Sequence, residues 1–145
     1  MNHSLPTKKS LITFTLLLFI TVFCSSCSDT KNPKSHIKTI ASEKQLDRIT
    51  ARAKDRLLLL DFFDERCMSC CVLLAQLEDL AKEQKDKVTI YKVNVGKNPE
   101  IAKIFNVTRR PYVVFIKNKK GVHAITGLQS KETFVEAIEK YAKEK

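Results

Sequence analysis

Two thiols stand two residues apart in Cys67-Met68-Ser69-Cys70, directly after the apolar run Leu57 to Phe63 and ahead of a helical pattern. Thiols at that spacing can exchange electrons with a disulfide. The thiolate of one attacks a target sulfur; the other can reach back, expel the mixed disulfide and close a small ring. A helix N-terminus suits the attacking sulfur, because its unpaired N–H groups and the positive end of the helix dipole favour negative charge. In such settings a thiol falls from about 8.5 to somewhere between about 3.5 and 7.5. Cys67, first and more exposed, is the expected nucleophile, and Cys70, which opens an apolar stripe, is the expected buried resolving thiol. The same spacing is half of a zinc site, but no second C-x-x-C or C-x-x-H pair follows residue 71.

Cysteines occur at 24, 27, 67, 70 and 71. The last three lie too close together to staple distant loops, so they mark a site rather than a disulfide scaffold. Cys71 is expected as a small, partly buried filler. A rival chemistry takes Cys67 and Cys71 as C-x-x-x-C and adds Met68 or His123 to offer soft ligands to Cu(I). The 145 residues suffice for one ordinary domain, and 43% hydrophobic with 29% charged residues excludes a disordered or fibrous chain. The net charge of +10 is scattered along the chain and no nucleic-acid motif accompanies it. A solvated basic surface with no nucleic-acid partner is the expectation.

The elements that must position the thiols read as alternating strands and helices. His36 to Ala41 is a candidate edge strand, and Ser42 with Gln45 forms a capping box before the stripe Leu46, Ile49, Ala53. Leu57 to Phe63 reads as a central strand buried on both faces. From Cys67, apolar residues at 70, 73, 74, 77, 80 and 81 predict an amphipathic helix to about Gln84. Val88 to Val95 is rich in β-branched residues and reads as a strand. Asn98-Pro99 opens a short helix through Phe105, with Asn98 as N-cap. Tyr112 to Lys117 and Val122 to Thr126 form an antiparallel pair about a turn at Asn118 to Gly121. Gly127 breaks the second strand, and Ser130 caps a last helix that turns Phe134, Ile138 and Tyr141 to one side. The order predicts an α/β domain over 38–145, a mixed sheet with helices on both faces.

The N-terminus reads as an address. Lys8 and Lys9 precede the short apolar stretch Leu11 to Phe23, which falls below the roughly 20 residues of a spanning helix and fits a signal peptide over 1–27. Cys24-Ser25-Ser26-Cys27 resembles a bacterial lipobox, with Cys24 where Leu or Val is usual. That resemblance implies lipidation at Cys27, a polar tether over 28–37, and a domain held at the membrane in the periplasm or cell envelope.

Asp61 in the strand, the C-x-x-C, Lys92 in the next strand and Pro111 ahead of another follow one another as in the thioredoxin superfamily, which residues 38–143 resemble without insertion. Gly127 sits where that family keeps a glycine near the last helix. The resemblance implies the thioredoxin fold and a redox-active Cys67–Cys70 disulfide. It implies Asp61 as proton acceptor for Cys70, although a buried acid paired with Lys92 for structure alone is the plainer alternative. It also implies a cis Pro111 whose loop hydrogen-bonds a substrate strand. Departures from thioredoxin itself concern charge and shape. Arg66 replaces the tryptophan before the first cysteine, Met68-Ser69 replaces glycine-proline, and Ala75 replaces the proline that kinks the helix. Arg66 is expected to favour the Cys67 thiolate. Arg109 and Arg110, before Pro111, are expected to favour acidic or carboxylate-bearing partners.

Together these features predict an exported thiol–disulfide oxidoreductase, a reductase of disulfide-bearing envelope proteins, re-reduced by a membrane or periplasmic donor. An oxidase or isomerase of the same fold and the copper-handling protein are the alternatives. The two cysteines are the redox couple, so no organic cofactor and no metal is required.

Overall fold

A computed structural model describes residues 34–144; the expected signal peptide, Cys24, Cys27 and most of the tether lie outside them. The elements in chain order are β1 (Lys38–Thr39), α1 (Glu43–Ala53), β2 (Leu57–Phe63), α2 (Met68–Glu83), β3 (Val88–Asn94), α3 (Pro99–Ile104), β4 (Tyr112–Lys117), β5 (Lys120–Thr126) and α4 (Lys131–Lys143). The five strands form one sheet in the order β1-β3-β2-β4-β5. β1, β3 and β2 run parallel, β4 runs antiparallel to β2, and β5 antiparallel to β4. This is the expected mixed sheet.

Alternation along β2 builds the two halves of the core. Leu57 and Leu59 face the layer made by Leu73, Leu77 and Leu80 of α2 with Phe134 and Ile138 of α4. Leu58, Leu60 and Phe62 face Leu46 of α1 and Ile101 and Ala102 of α3. All seven side chains of β2 are buried, and each apolar one contributes roughly 1.5–3 kcal/mol by leaving water. A continuous apolar run is thus the mark of a strand with helices on both sides.

The ends of elements follow local chemistry. Ser42 Oγ accepts the Gln45 N–H at 3.3 Å, as a capping box requires. The Gln45 side chain reaches past the cap: Oε1 accepts from Ala41 N at 3.0 Å and Nε2 donates to Thr39 O at 3.2 Å, so the helix start also holds the edge strand. That strand is only two residues long, shorter than its apolar pattern suggests: Lys38 and Thr39 pair in register with β3, and the segment leaves the sheet after Ile40 N donates to Lys92 O at 2.9 Å. Pro99 takes the first position of α3, but Asn98 makes no side-chain cap; its amide donates to Asn94 O at 3.1 Å instead.

β5 begins two residues earlier than expected. Lys117 pairs with Lys120, and Asn118 and Lys119 both take positive φ (52° and 64°), the backbone of a two-residue hairpin turn matched to strand twist. A register shift between Phe115 and Ile116 leaves Val122 as an extra residue, so the apolar alternation begins after the true strand start.

Lys117 ends β4 with a buried side chain. Its Nζ donates to the carbonyls of Tyr141 at 3.0 Å and Ala142 at 2.9 Å, and also to that of Glu144. A cation there satisfies the orphan acceptors of the α4 C-terminus and complements the helix dipole. Lys117→Met keeps the aliphatic stem and strands those carbonyls. Urea unfolding of the variant is expected to show a loss of about 2–3 kcal/mol with unchanged m; an unchanged midpoint would remove Lys117 from the cap.

Candidate active site

At the C-terminal end of β2 the chain turns through Asp64 and Glu65 into α2, whose N-cap is Cys67. The turn is braced from within. Cys67 N donates to Asp64 O at 3.0 Å, and Arg66 N donates to the Asp64 carboxylate at 2.9 Å. It is also tied to the neighbouring loop after β3. Asn94 Nδ2 donates to Glu65 at 3.2 Å, its Oδ1 accepts from Gly96 N at 3.0 Å and Lys97 N at 3.2 Å, and Lys97 pairs with Glu65 at 2.8 Å. The Cys67 sulfur is therefore delivered on a fixed loop rather than a free tip.

Cys67 and Cys70 are joined as a disulfide with their Cα atoms 5.2 Å apart, as the resemblance implied. Cys67 is half-buried, whereas Cys70 is fully buried against Phe63. Two donors address the Cys67 sulfur: the backbone N–H of Cys70 at 3.2 Å and the hydroxyl of Ser69 at 3.4 Å. Both favour negative charge there once the disulfide opens. Ser69 was not singled out as a site residue in the sequence. Its signal is its type at the second position of a cysteine-capped helix, where its hydroxyl can turn back to the cap. α2 continues unbroken through Ala75.

Asp61 lies in the row Leu57, Leu59, Asp61, Phe63, on the face that α2 covers, one strand repeat before the ring that packs on Cys70. It is fully buried, and neither carboxylate oxygen has a hydrogen-bond partner among the described residues. Burial raises its pKa to about 7 against the opposing pull of Lys92. Lys92 is directly in register with Asp61 and 8% exposed. Its ammonium lies 5.4 Å from the centroid of the Phe63 ring, so this cation is shared between a charge and a π face.

Pro111 follows a cis peptide bond from Arg110. Because Tyr112 pairs with Phe62, the turn carrying Arg109, Arg110 and Pro111 lies at the same sheet end as the thiols. Gly127 closes this corner: its N–H donates to Pro111 O at 2.8 Å, and its φ of 79° is one that only glycine adopts without strain. Arg66 projects into solvent with its side chain 93% exposed and pairs with Asp64 at 3.6 Å. The Arg66 backbone N–H, with the guanidinium groups of Arg66 and Arg110, holds the Asp64 carboxyl below its usual range. The field of Arg66 at Cys67 is therefore weaker than that of a lone cation.

The remaining candidates separate. Cys71 is half-buried beside Phe63 and Cys70. His123 of β5 pairs with Phe115 of β4 and stacks on Tyr141 of α4 at 5.0 Å, so the structure gives it an aromatic neighbourhood and not the cysteines. No group of three or more His, Cys, Asp or Glu side chains among the described residues is arranged to hold a metal ion.

Comparison with known proteins matches residues 36–140 to the thioredoxin family model. Thioredoxin of Chlamydia pneumoniae is 36% identical over 106 residues, covering 73% of this chain and 99% of the relative. Thioredoxin-T of Drosophila melanogaster is 32% identical over 103 residues, 71% of this chain but 65% of the relative. The match spans 46% of the spinach chloroplast M-type thioredoxin. Among solved structures, Fasciola hepatica thioredoxin superposes with a TM-score of 0.69 at 32% identity, covering 72% of this chain and 99% of that one.

The buried acid makes stability depend on pH. With its folded pKa raised above the unfolded value, Asp61 retains a proton that the unfolded chain releases from about pH 4, so its contribution declines as pH rises toward about 7. Asp61→Asn removes that decline. At pH 8 the oxidised variant is expected to exceed the parent by on the order of 3–4 kcal/mol in urea unfolding, with the difference vanishing toward pH 4. A difference that stays constant across the range would refute the assignment.

Proposed function

Because the chain belongs to the thioredoxin family, we propose that it is a thiol–disulfide oxidoreductase working as a reductase of protein disulfides, exported and held at the membrane by its N-terminus. The observation that carries the redox reading is the joined pair at the start of α2, with Cys67 half-buried and Cys70 fully buried. Attack from outside is open to Cys67, while Cys70 meets only what is already attached to it.

In the forward direction the Cys67 thiolate attacks one target sulfur, and the other target sulfur leaves as a thiolate. Cys70 then gives its proton to Asp61 and attacks the Cys67 sulfur, releasing the second target sulfur. Two electrons pass to the target and Cys67–Cys70 closes. A dithiol donor in the membrane or periplasm restores the pair, and no further cofactor enters. The raised pKa of Asp61, about 7, suits an acceptor that must take and return a proton near neutrality.

Direction follows from how strongly the reduced state is favoured. An oxidant needs a heavily stabilised thiolate. Here Cys67 has one backbone N–H, one hydroxyl and an arginine already engaged by Asp64. Such modest stabilisation supports a reducing couple. A glutathione redox equilibrium is expected to place its potential nearer about −270 mV than about −120 mV. Cys67→Ser is expected to abolish reduction of insulin disulfides, and Cys70→Ser to accumulate mixed disulfides with targets. Full reductase activity in the Cys67 variant would sink the reading.

The basic and apolar residues of 1–23 and the small residues before Cys27 support export and lipid attachment. Cys27→Ala is expected to release the protein from the membrane fraction or to stop its maturation. A wholly soluble mature protein with an unmodified N-terminus would leave cleavage without a lipid.

A further inference from the structure

Two chain segments bring exposed charge to the sheet end that carries the Cys67 sulfur. Arg66 precedes it, and Arg109 and Arg110 stand on the turn that the Phe62–Tyr112 pairing brings to the same sheet end. All three are exposed. Opposing charges are few on these loops: Asp64 lies 3.6 Å from Arg66 and also feels Arg110, while Glu65 is engaged by Lys97 at 2.8 Å. Arg66 and Arg110 therefore share one nearby carboxylate and Arg109 adds a third exposed cation on the same turn as Arg110, which leaves the rim positive.

Exposed apolar side chains gather at the same place. Met68 (69% exposed) and Val72 (44%) lie one turn apart on α2, beside Cys67. Leu128 (44%) follows Gly127, whose N–H is bonded to Pro111 O. One exposed apolar side chain is ordinary, but three gathered beside a reactive sulfur form a patch able to take a partner.

We propose that this rim is a docking surface for protein segments that carry acidic residues within a few positions of their disulfide, with Arg66, Arg109 and Arg110 reading the acids and Met68, Val72 and Leu128 supporting the neighbouring apolar side chains. The proposal rests on the reductase reading and names its substrate class. Guanidinium groups pair with carboxylates through paired N–H donors, and a positive rim speeds the encounter with a negative segment. Because the groups are exposed, the preference is screened by salt.

The test uses the full chain, reduced and held in non-ionic detergent, against three synthetic peptides of one scaffold. Each contains a single disulfide flanked by glutamates, serines or lysines. Dithiothreitol, which attacks as a thiolate like Cys67 but has no charged side groups, reports the intrinsic reactivity of each peptide toward a thiolate, and rates with the protein are divided by it. Hydroxyethyl disulfide, small and neutral, reports the exchange chemistry itself. The glutamate peptide is expected to react about fivefold faster than the lysine peptide at low ionic strength, with the ratio approaching one in 1 M salt. Arg109→Glu with Arg110→Glu is expected to invert the ratio. Equal normalised rates for the three peptides with hydroxyethyl disulfide still reduced, or an unchanged ratio in the double variant, would overturn the docking surface and leave the reductase reading standing. No reaction with hydroxyethyl disulfide would overturn both.

Discussion

Every part of the site hangs from β2, which has hydrogen-bonded neighbours on both edges and packed helices on both faces. A strand so enclosed can shift neither sideways nor along its length without turning its apolar set to the wrong layer. Its last residue, Phe63, is therefore a fixed point. From it the chain has only Asp64, Glu65 and Arg66 in which to turn before Cys67 caps α2. The helix is anchored in turn by Leu73, Leu77 and Leu80 against the same strand's face. Cys67 is held between two rigid elements, which a sulfur that must both accept hydrogen bonds and meet a partner requires.

The core contains charged groups handled in two different ways. Lys117 is enclosed but surrounded by carbonyl oxygens at the end of α4, so its charge is satisfied and ties the last helix to the sheet. Asp61 is enclosed without such partners and has only the diffuse field of Lys92 to oppose its desolvation. The first arrangement is structural. The second holds a carboxyl at the edge of ionisation, one strand repeat before the Phe63 ring that packs on Cys70, at a cost in stability.

The surface around the thiols is assembled rather than inherited from one segment. The loop after β2 brings Arg66, the loop before β4 brings Arg109 and Arg110, α2 brings Met68 and Val72, and the turn after β5 brings Leu128. Strand order places all of them at one end of the sheet. Changes to any one loop can thus alter which partners approach without disturbing the strand that carries the chemistry.

Local chemistry alone is enough to read most elements and the reacting pair. A continuous apolar run, a 3.6-residue stripe, Ser42 and Ser130 as caps, and two thiols at a helix start are features of neighbours in the chain, where physics acts over a few residues. Asp61, Lys92 and Pro111 stand out only through likeness to a family, since nothing in the chain between them says they meet. What tertiary structure alone decides is environment. Register sets Lys92 beside Asp61, and enclosure by α2 raises the carboxyl toward neutrality. Val122 becomes a bulge and Asn118-Lys119 a two-residue turn because β5 must match the twist and register of β4. Asn98 turns its amide to Asn94 rather than capping its helix, since the loop offers a nearer acceptor. Arg66 lends part of its charge to Asp64, and His123 finds an aromatic stack instead of a sulfur. Desolvation and Coulomb energy depend on distances through space, and those distances exist only after the chain has folded.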